Sequence, residues 1–162
     1  DLGIIDVQFN KVNGGSVRVL AKHGVKTKFG YDGIELSDLC TFAREVQTLK
    51  AETLALLERY KAEGKTVVGL GASTKNNVVL GYYGIGPDLI SCFAERQHGK
   101  VGRLTVNGIP IVSEETARSM KPDAFFIGPW HFLDSLRERE KEYLANGGEF
   151  IVPFPELRIV KS

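Results

Sequence analysis

The stretch VVGLGASTKNNVVL, residues 67–80, gathers most of the groups in this chain that could hold a charged ligand. Gly69 and Gly71 allow a tight turn and close backbone approach. Ser73 and Thr74 offer hydroxyls, Lys75 a full positive charge, and Asn76 and Asn77 amide donors. A helix starting here adds outward N–H groups and a partial positive charge. Such a set suits a diphosphate better than a neutral ligand. It is not a dinucleotide fingerprint, because Thr74 stands where GxGxxG requires its third glycine. The spacing of a Walker A loop is also absent. The same residues would serve equally as a plain glycine turn with a Ser or Thr cap.

Two further segments carry groups of the same kind. FAERQHGKVGR, residues 93–103, places Glu95 after an apolar run, with Arg96, Lys100 and Arg103 behind it. An acid about twenty residues past a glycine turn is where dinucleotide-binding sheets hold a ribose hydroxyl. The basic residues could add charge to a phosphate, or form only an exposed polar loop. GPWHF, residues 128–132, offers Trp130 for stacking and His131 for hydrogen bonding. The alternative is that Trp130 packs in the core and His131 caps a helix. PFPE, residues 153–156, lines the same edge or terminates the sheet.

These segments need a frame that brings them together. TVVGLG, LISCFAE, IPIVS, DAFFIGPW and EFIVPF read as strands that are apolar throughout. NNVVLGYYGIG, EETARSMK and FLDSLREREKEYLANGG read as the helices between them, with Ser113 capping the second. Strands buried on both faces and alternating with helices predict an α/β fold, a mostly parallel sheet with helices on both faces. In such a sheet, ligands bind beyond the carboxyl ends of the strands, where the strand order reverses. The charge run REREKE reads as a solvated face, because Leu133, Leu136, Tyr143 and Leu144 supply the buried stripe. Before this region, IIDVQF and SVRVL flank a turn at Asn13-Gly14-Gly15 and predict a β-hairpin. Residues 24–35 read as a connecting loop. A long helix is expected over residues 37–63, with Ser37 as its cap and Gly64 as its stop.

Bulk composition narrows the classes further. A net charge of +1 carries no global basic excess, so a nucleic acid polymer is not the expected partner. No apolar run reaches the roughly 18 residues of a membrane span. His23, His98 and His131 are too scattered for a metal site, and no GxSxG elbow is present. Cys40 and Cys92 lie far apart among apolar residues and are expected as two buried thiols in a reducing cytoplasm. The first residue is Asp1, and DLGIIDVQFNKVNGG reads like the interior of a longer protein.

In order, GGSVRV, GKTVVGLGASTKNNVVL followed by YYGI, AERQHGKVGR, IPIVSEE, PDAFFIGPWHF and GGEFIVPFPE span nearly the whole chain. As a set they resemble the C-terminal domain of S-adenosylmethionine-dependent C-methyltransferases, a family acting on nucleotide-linked deoxysugars. The resemblance implies a Rossmann-like substrate domain over residues 36–162. It also implies a hairpin and linker over residues 1–35, at the junction with a separate domain that binds S-adenosylmethionine. On this reading Gly69, Gly71, Ala72, Ser73, Thr74, Lys75 and Asn77 meet the diphosphate. Glu95, Arg96, Lys100 and Arg103 face the nucleoside side, Trp130 and His131 share the cleft, and Arg18 lies near the junction. The general base is expected upstream, so this chain contributes no assigned catalytic residue; His131 is its one candidate. Two departures stand out. Asn76 replaces a glycine that follows the lysine in the family, and either narrows the phosphate approach or adds a contact. Gln97-His98 replaces an Asn-Pro pair, which leaves the nucleotide open. Two other readings stay in play: a stand-alone nucleotide or coenzyme module, and an interaction or dimerisation domain.

Overall fold

The computed structural model describes residues 1–12, 15–27 and 35–162. Asn13 and Gly14 of the expected hairpin turn, and residues 28–34 of the expected loop, lie outside the described residues. The chain separates into two compact units, Asp1–Phe42 and Ala43–Ser162.

The first unit contains the hairpin. β1 (Leu2–Asn10) pairs antiparallel with β2 (Ser16–His23), both longer than the apolar pattern predicts. Cross-strand partners Val7 and Val19, and Phe9 and Val17, form an apolar row, and Phe9 is 78% exposed. The long helix α1 (Leu36–Ala62) begins in this unit. Ser37, expected as its cap, lies inside the first turn instead. Asp38 Oδ2 reaches back to accept the Glu35 N–H at 3.1 Å, which places the cap at Glu35, two residues before Ser37.

The second unit is a six-stranded sheet ordered β5-β4-β3-β6-β7-β8. Its strands are β3 (Val67–Leu70), β4 (Phe93–Glu95), β5 (Ile111–Ser113), β6 (Ala124–Ile127), β7 (Glu149–Val152) and β8 (Arg158–Val160). The first five run parallel and β8 is an antiparallel edge strand, for which the sequence had shown no pattern. α1 ends at Gly64, whose φ of 70° lets the Lys65 N–H reach the Tyr60 carbonyl at 2.9 Å.

Each central strand contributes alternate residues to two cores. On one face, Leu56, Leu57 and Tyr60 of α1 and Val79, Leu80 and Tyr83 of α2 (Thr74–Tyr83) pack on Val67, Phe93, Phe126 and Ile151. On the other, Ala117 of α3 (Glu114–Ser119), Leu136 of α4 (Leu133–Arg139) and Leu144 of α5 (Lys141–Ala145) pack on Val68, Leu70, Phe125 and Phe150. This is the α/β arrangement expected, with helices on both faces of a mostly parallel sheet.

Three local expectations are corrected. LISCFAE is not one strand: only Phe93–Glu95 pairs as β4, after a turn at 86–90. The helix after Phe132 breaks at Glu140, which separates α4 from α5. REREKE is therefore not wholly solvated. Glu140 is 4% exposed and accepts from Arg118 Nη2 of α3 at 2.5 Å and from Arg139 Nε at 3.0 Å. A partner more than twenty residues away leaves no trace in helical periodicity. Cys92 is buried as expected, but Cys40 is exposed, and both are free thiols.

Candidate functional site

The strand order reverses between β3 and β6, so their carboxyl ends open the crevice where doubly wound sheets take ligands. Two segments leave the sheet there: the turn Gly71–Ser73 after β3, and Gly128–His131 after β6.

The first turn is built by one glycine. Gly71 has φ +84°, a conformation L side chains rarely adopt, and an added Cβ would lie 3.3 Å from Pro129 Cγ. Its N–H donates to the Ala94 carbonyl at 2.8 Å, which fixes the turn beside β4. Gly69 is not part of it. That residue is buried within β3, and the Phe93 ring fills the space a side chain would need. Ser73 then caps α2, accepting the Asn76 N–H at 3.2 Å. No acidic residue stands in the first turn of α2, so the partial positive charge of that helix end is not neutralised by its own sequence. α3, by contrast, carries Glu114 and Glu115 at the same position.

The departure at Asn76 has a structural answer. Its side chain neither narrows the approach nor reaches outward. It is 1% exposed, and Nδ2 donates to the Gly71 carbonyl at 2.5 Å. Oδ1 is buried without a partner. The carboxamide fits only because residue 128 is glycine, since a Cβ there would overlap it. Asn76 and Gly128 thus join the two segments of the crevice. Sequence reasoning missed this pair. A polar residue three positions past a helix cap, where the family has glycine, was the available signal.

Lys100 Nζ donates to the Ala72 carbonyl at 2.9 Å and to Glu95 Oε2 at 3.1 Å. Glu95 Oε1 accepts the backbone N–H groups of Arg96 and Gln97 at 2.9 and 3.0 Å. Desolvation raises the Glu95 pKa, but these hydrogen bonds outweigh it and hold the carboxyl below its ordinary range. Both oxygens are held by groups of the same loop, which pins the carboxylate in place. Arg96 and Arg103 are exposed on the loop after β4, with no side-chain bond to the turn. Asn77 accepts the Val106 N–H at 3.3 Å and so supports that loop. Thr74 is exposed at the start of α2.

Lys75 projects across the crevice, with Nζ 5.1 Å from the centre of the Trp130 ring, within the range of a cation–π contact. Trp130 is half-buried and packs against Phe154, with ring centres 5.4 Å apart. PFPE therefore lines the same edge. His131 stacks beside Phe132, and its Nδ1 is buried without a partner. Burial, and secondarily the Lys75 charge, hold its pKa below the ordinary 6.5, so the imidazole is neutral at pH 7. Arg18 belongs to the hairpin unit, on β2 opposite Gln8, whose Oε1 accepts from Nη1 at 3.5 Å.

The crevice is an open edge. A hollow of about 500 Å³ lies at the opposite edge of the sheet, lined by Arg118, Lys121, Asp123 and Tyr143 among others. Among the described residues, no group of three His, Cys, Asp or Glu side chains could hold a metal. No helix there is long and apolar enough to cross a membrane.

A doubly wound sheet with a cationic, aromatic carboxyl edge agrees with what family comparison finds. Residues 11–155 match the C-methyltransferase C-terminal domain family, and the chain belongs to it. It is also similar to the C-methyltransferase NovU of Streptomyces niveus, at 33% identity over 175 aligned positions. That alignment covers 99% of this chain and 42% of the relative, so the chain spans less than half of that protein's length.

Proposed function

We propose that this chain is the substrate-binding domain of an S-adenosylmethionine-dependent C-methyltransferase, and that it binds a nucleotide-linked sugar whose carbon receives the methyl group. The observation that carries the reading is the positive end of α2, with no acid in its own first turn, and Lys75 beside Trp130 at the strand-order reversal. The helix end and Lys75 take the diphosphate, and Trp130 takes a ring of the nucleoside or sugar. Neutral His131 supplies a hydrogen bond in the same crevice.

The methyl donor does not fit this site. S-adenosylmethionine carries a sulfonium and an ammonium against one carboxylate, so its net charge is positive. Here it would meet Lys75 and a helix N-terminus. On this reading the donor, and the base that prepares the carbon nucleophile, are supplied by another part of the enzyme. We assign residues 1–35 to the junction with that part. The row formed by Val7, Phe9, Val17 and Val19 supports this, because a two-stranded ribbon buries little by itself and such a row calls for a protein partner.

Calorimetric titration with a panel of nucleotide-linked sugars tests the reading. One or more should bind, and Lys75→Ala should weaken that binding about tenfold or more, as expected for a charge-assisted contact to phosphate. Absence of binding by the whole panel, or an unchanged affinity in Lys75→Ala, would sink it.

A further inference from the structure

The hollow at the amino-terminal edge of the sheet stands apart from the crevice. Its volume of about 500 Å³ is in the range of small-molecule sites. Two segments line it: one leads from Arg118 of α3 into β6, the other from Glu142 of α5 into β7. Its floor is aromatic and fixed. Tyr143 packs on Phe125 and Phe150, with ring centres 4.7 and 6.2 Å away, and its ring fills the space a side chain at Gly148 would need. The Tyr143 hydroxyl is held between the backbone N–H and carbonyl of Glu149. Around this floor Arg118 is already paired with Glu114 and Glu140, and Asp123 Oδ2 accepts the Thr66 N–H at 2.7 Å. Lys121 from one segment and Glu142 from the other differ: among the described residues neither forms an ion pair, with each other or elsewhere. Lys121 also has φ 49°, the one positive value of a non-glycine residue among those described. Glycine is usual at such a helix end, and a side chain there carries a conformational cost. A lysine kept at that cost points to a use for its ammonium.

We propose that this hollow is a second ligand site, and that it takes a zwitterion with an aromatic body, the chemistry of an aromatic amino acid. The ligand's ring lies on the floor made by Tyr143 and Phe125. Its carboxylate turns to Lys121 and its ammonium to Glu142, while Asn146 adds an uncharged donor and acceptor to the same rim. A ring with a carboxylate alone leaves Glu142 unanswered, and a ring with an ammonium alone leaves Lys121 unanswered. The site is independent of the substrate-binding reading, because its residues lie at the edge of the sheet opposite the crevice.

The experiment titrates the isotope-labelled chain with L-phenylalanine, 3-phenylpropionate and 2-phenylethylamine, and follows backbone amides by NMR. L-Phenylalanine at millimolar concentration should shift the amides of Lys121, Asn146, Gly147 and Gly148, and leave those of Lys75 and Gly128 in place. Both rim charges are exposed, so each should be worth about a two- to fivefold change in affinity. L-Phenylalanine should therefore bind more tightly than either one-charge probe by about that factor. Lys121→Gly suits the left-handed backbone and removes the cation, so this variant should fold as the parent does. It should lose the advantage of L-phenylalanine over 2-phenylethylamine. Glu142→Gln should lose the advantage over 3-phenylpropionate. Shifts confined to the crevice amides, no shift with any probe, or equal affinity for all three would each overturn the proposal and leave the substrate-binding reading untouched.

Discussion

Gly128→Ala isolates the joint between the two crevice segments. The backbone at Gly128 is not in the left-handed region, so alanine brings no conformational strain of its own. The added methyl would overlap the Asn76 carboxamide, which is 1% exposed and has nowhere to retreat without leaving the Gly71 carbonyl. Overpacking of this kind costs about 1–3 kcal/mol, and the displaced buried hydrogen bond adds about 1 kcal/mol. The total is about 2–4 kcal/mol. Asn76→Ala alone should cost less, about 1 kcal/mol. It removes the bond to Gly71, but it also removes an oxygen that has no partner, and Gly71 keeps its bond from the Ser73 N–H at 2.9 Å. In the Asn76→Ala background the methyl at 128 finds space, so its cost should fall below about 1 kcal/mol. The double-mutant cycle should then show a coupling of about 1–3 kcal/mol. Urea unfolding of all four proteins, followed by Trp130 emission and far-ultraviolet circular dichroism, measures it. Equal costs for Gly128→Ala in both backgrounds would refute the argument that this pair joins the crevice.

Three other outcomes follow from the same structure. Glu140, Glu95 and Glu149 are each raised by desolvation but drawn lower overall by hydrogen bonds and cations. Their stabilisation is therefore complete above the ordinary carboxylate value of 4.5 and is lost as pH falls through the depressed folded values. Urea midpoints should drop between about pH 5 and pH 3, with a smaller drop in Glu140→Gln; identical pH curves would contradict this. Ellman's reagent should label Cys40 at once and Cys92 only on unfolding, because one thiol is exposed and the other buried. Rapid labelling of both would oppose the packing described. Ser73→Ala should lower stability by about 1 kcal/mol through loss of the α2 cap, and denaturant titration will show whether it does.

Local features were legible because their causes lie close together along the chain. Apolar runs alternating with amphipathic helices marked a parallel sheet with two covered faces. Ser113 before two glutamates marked the start of α3, and Gly64 and Gly84 marked helix ends, since their φ values of 70° and 76° suit residues without a Cβ. β8 escaped notice because three residues on an edge bury too little to impose a pattern.

The sequence by itself determined which groups reach the carboxyl edge of the sheet. Chain connectivity places the residue after each parallel strand at that edge, so the glycine turn, Glu95 and Trp130 had to gather there. Only the tertiary structure decided what each group does once it arrives. Glu95 and Lys100 satisfy each other and the backbone around them. Gly69 yields its space to Phe93, Asn76 locks against Gly128, and Lys75 rests on Trp130. Apart from Glu95 and Lys100, which share one loop, these pairings are set by packing between segments roughly 20–55 residues apart, a distance at which spacing along the chain carries no information about contact.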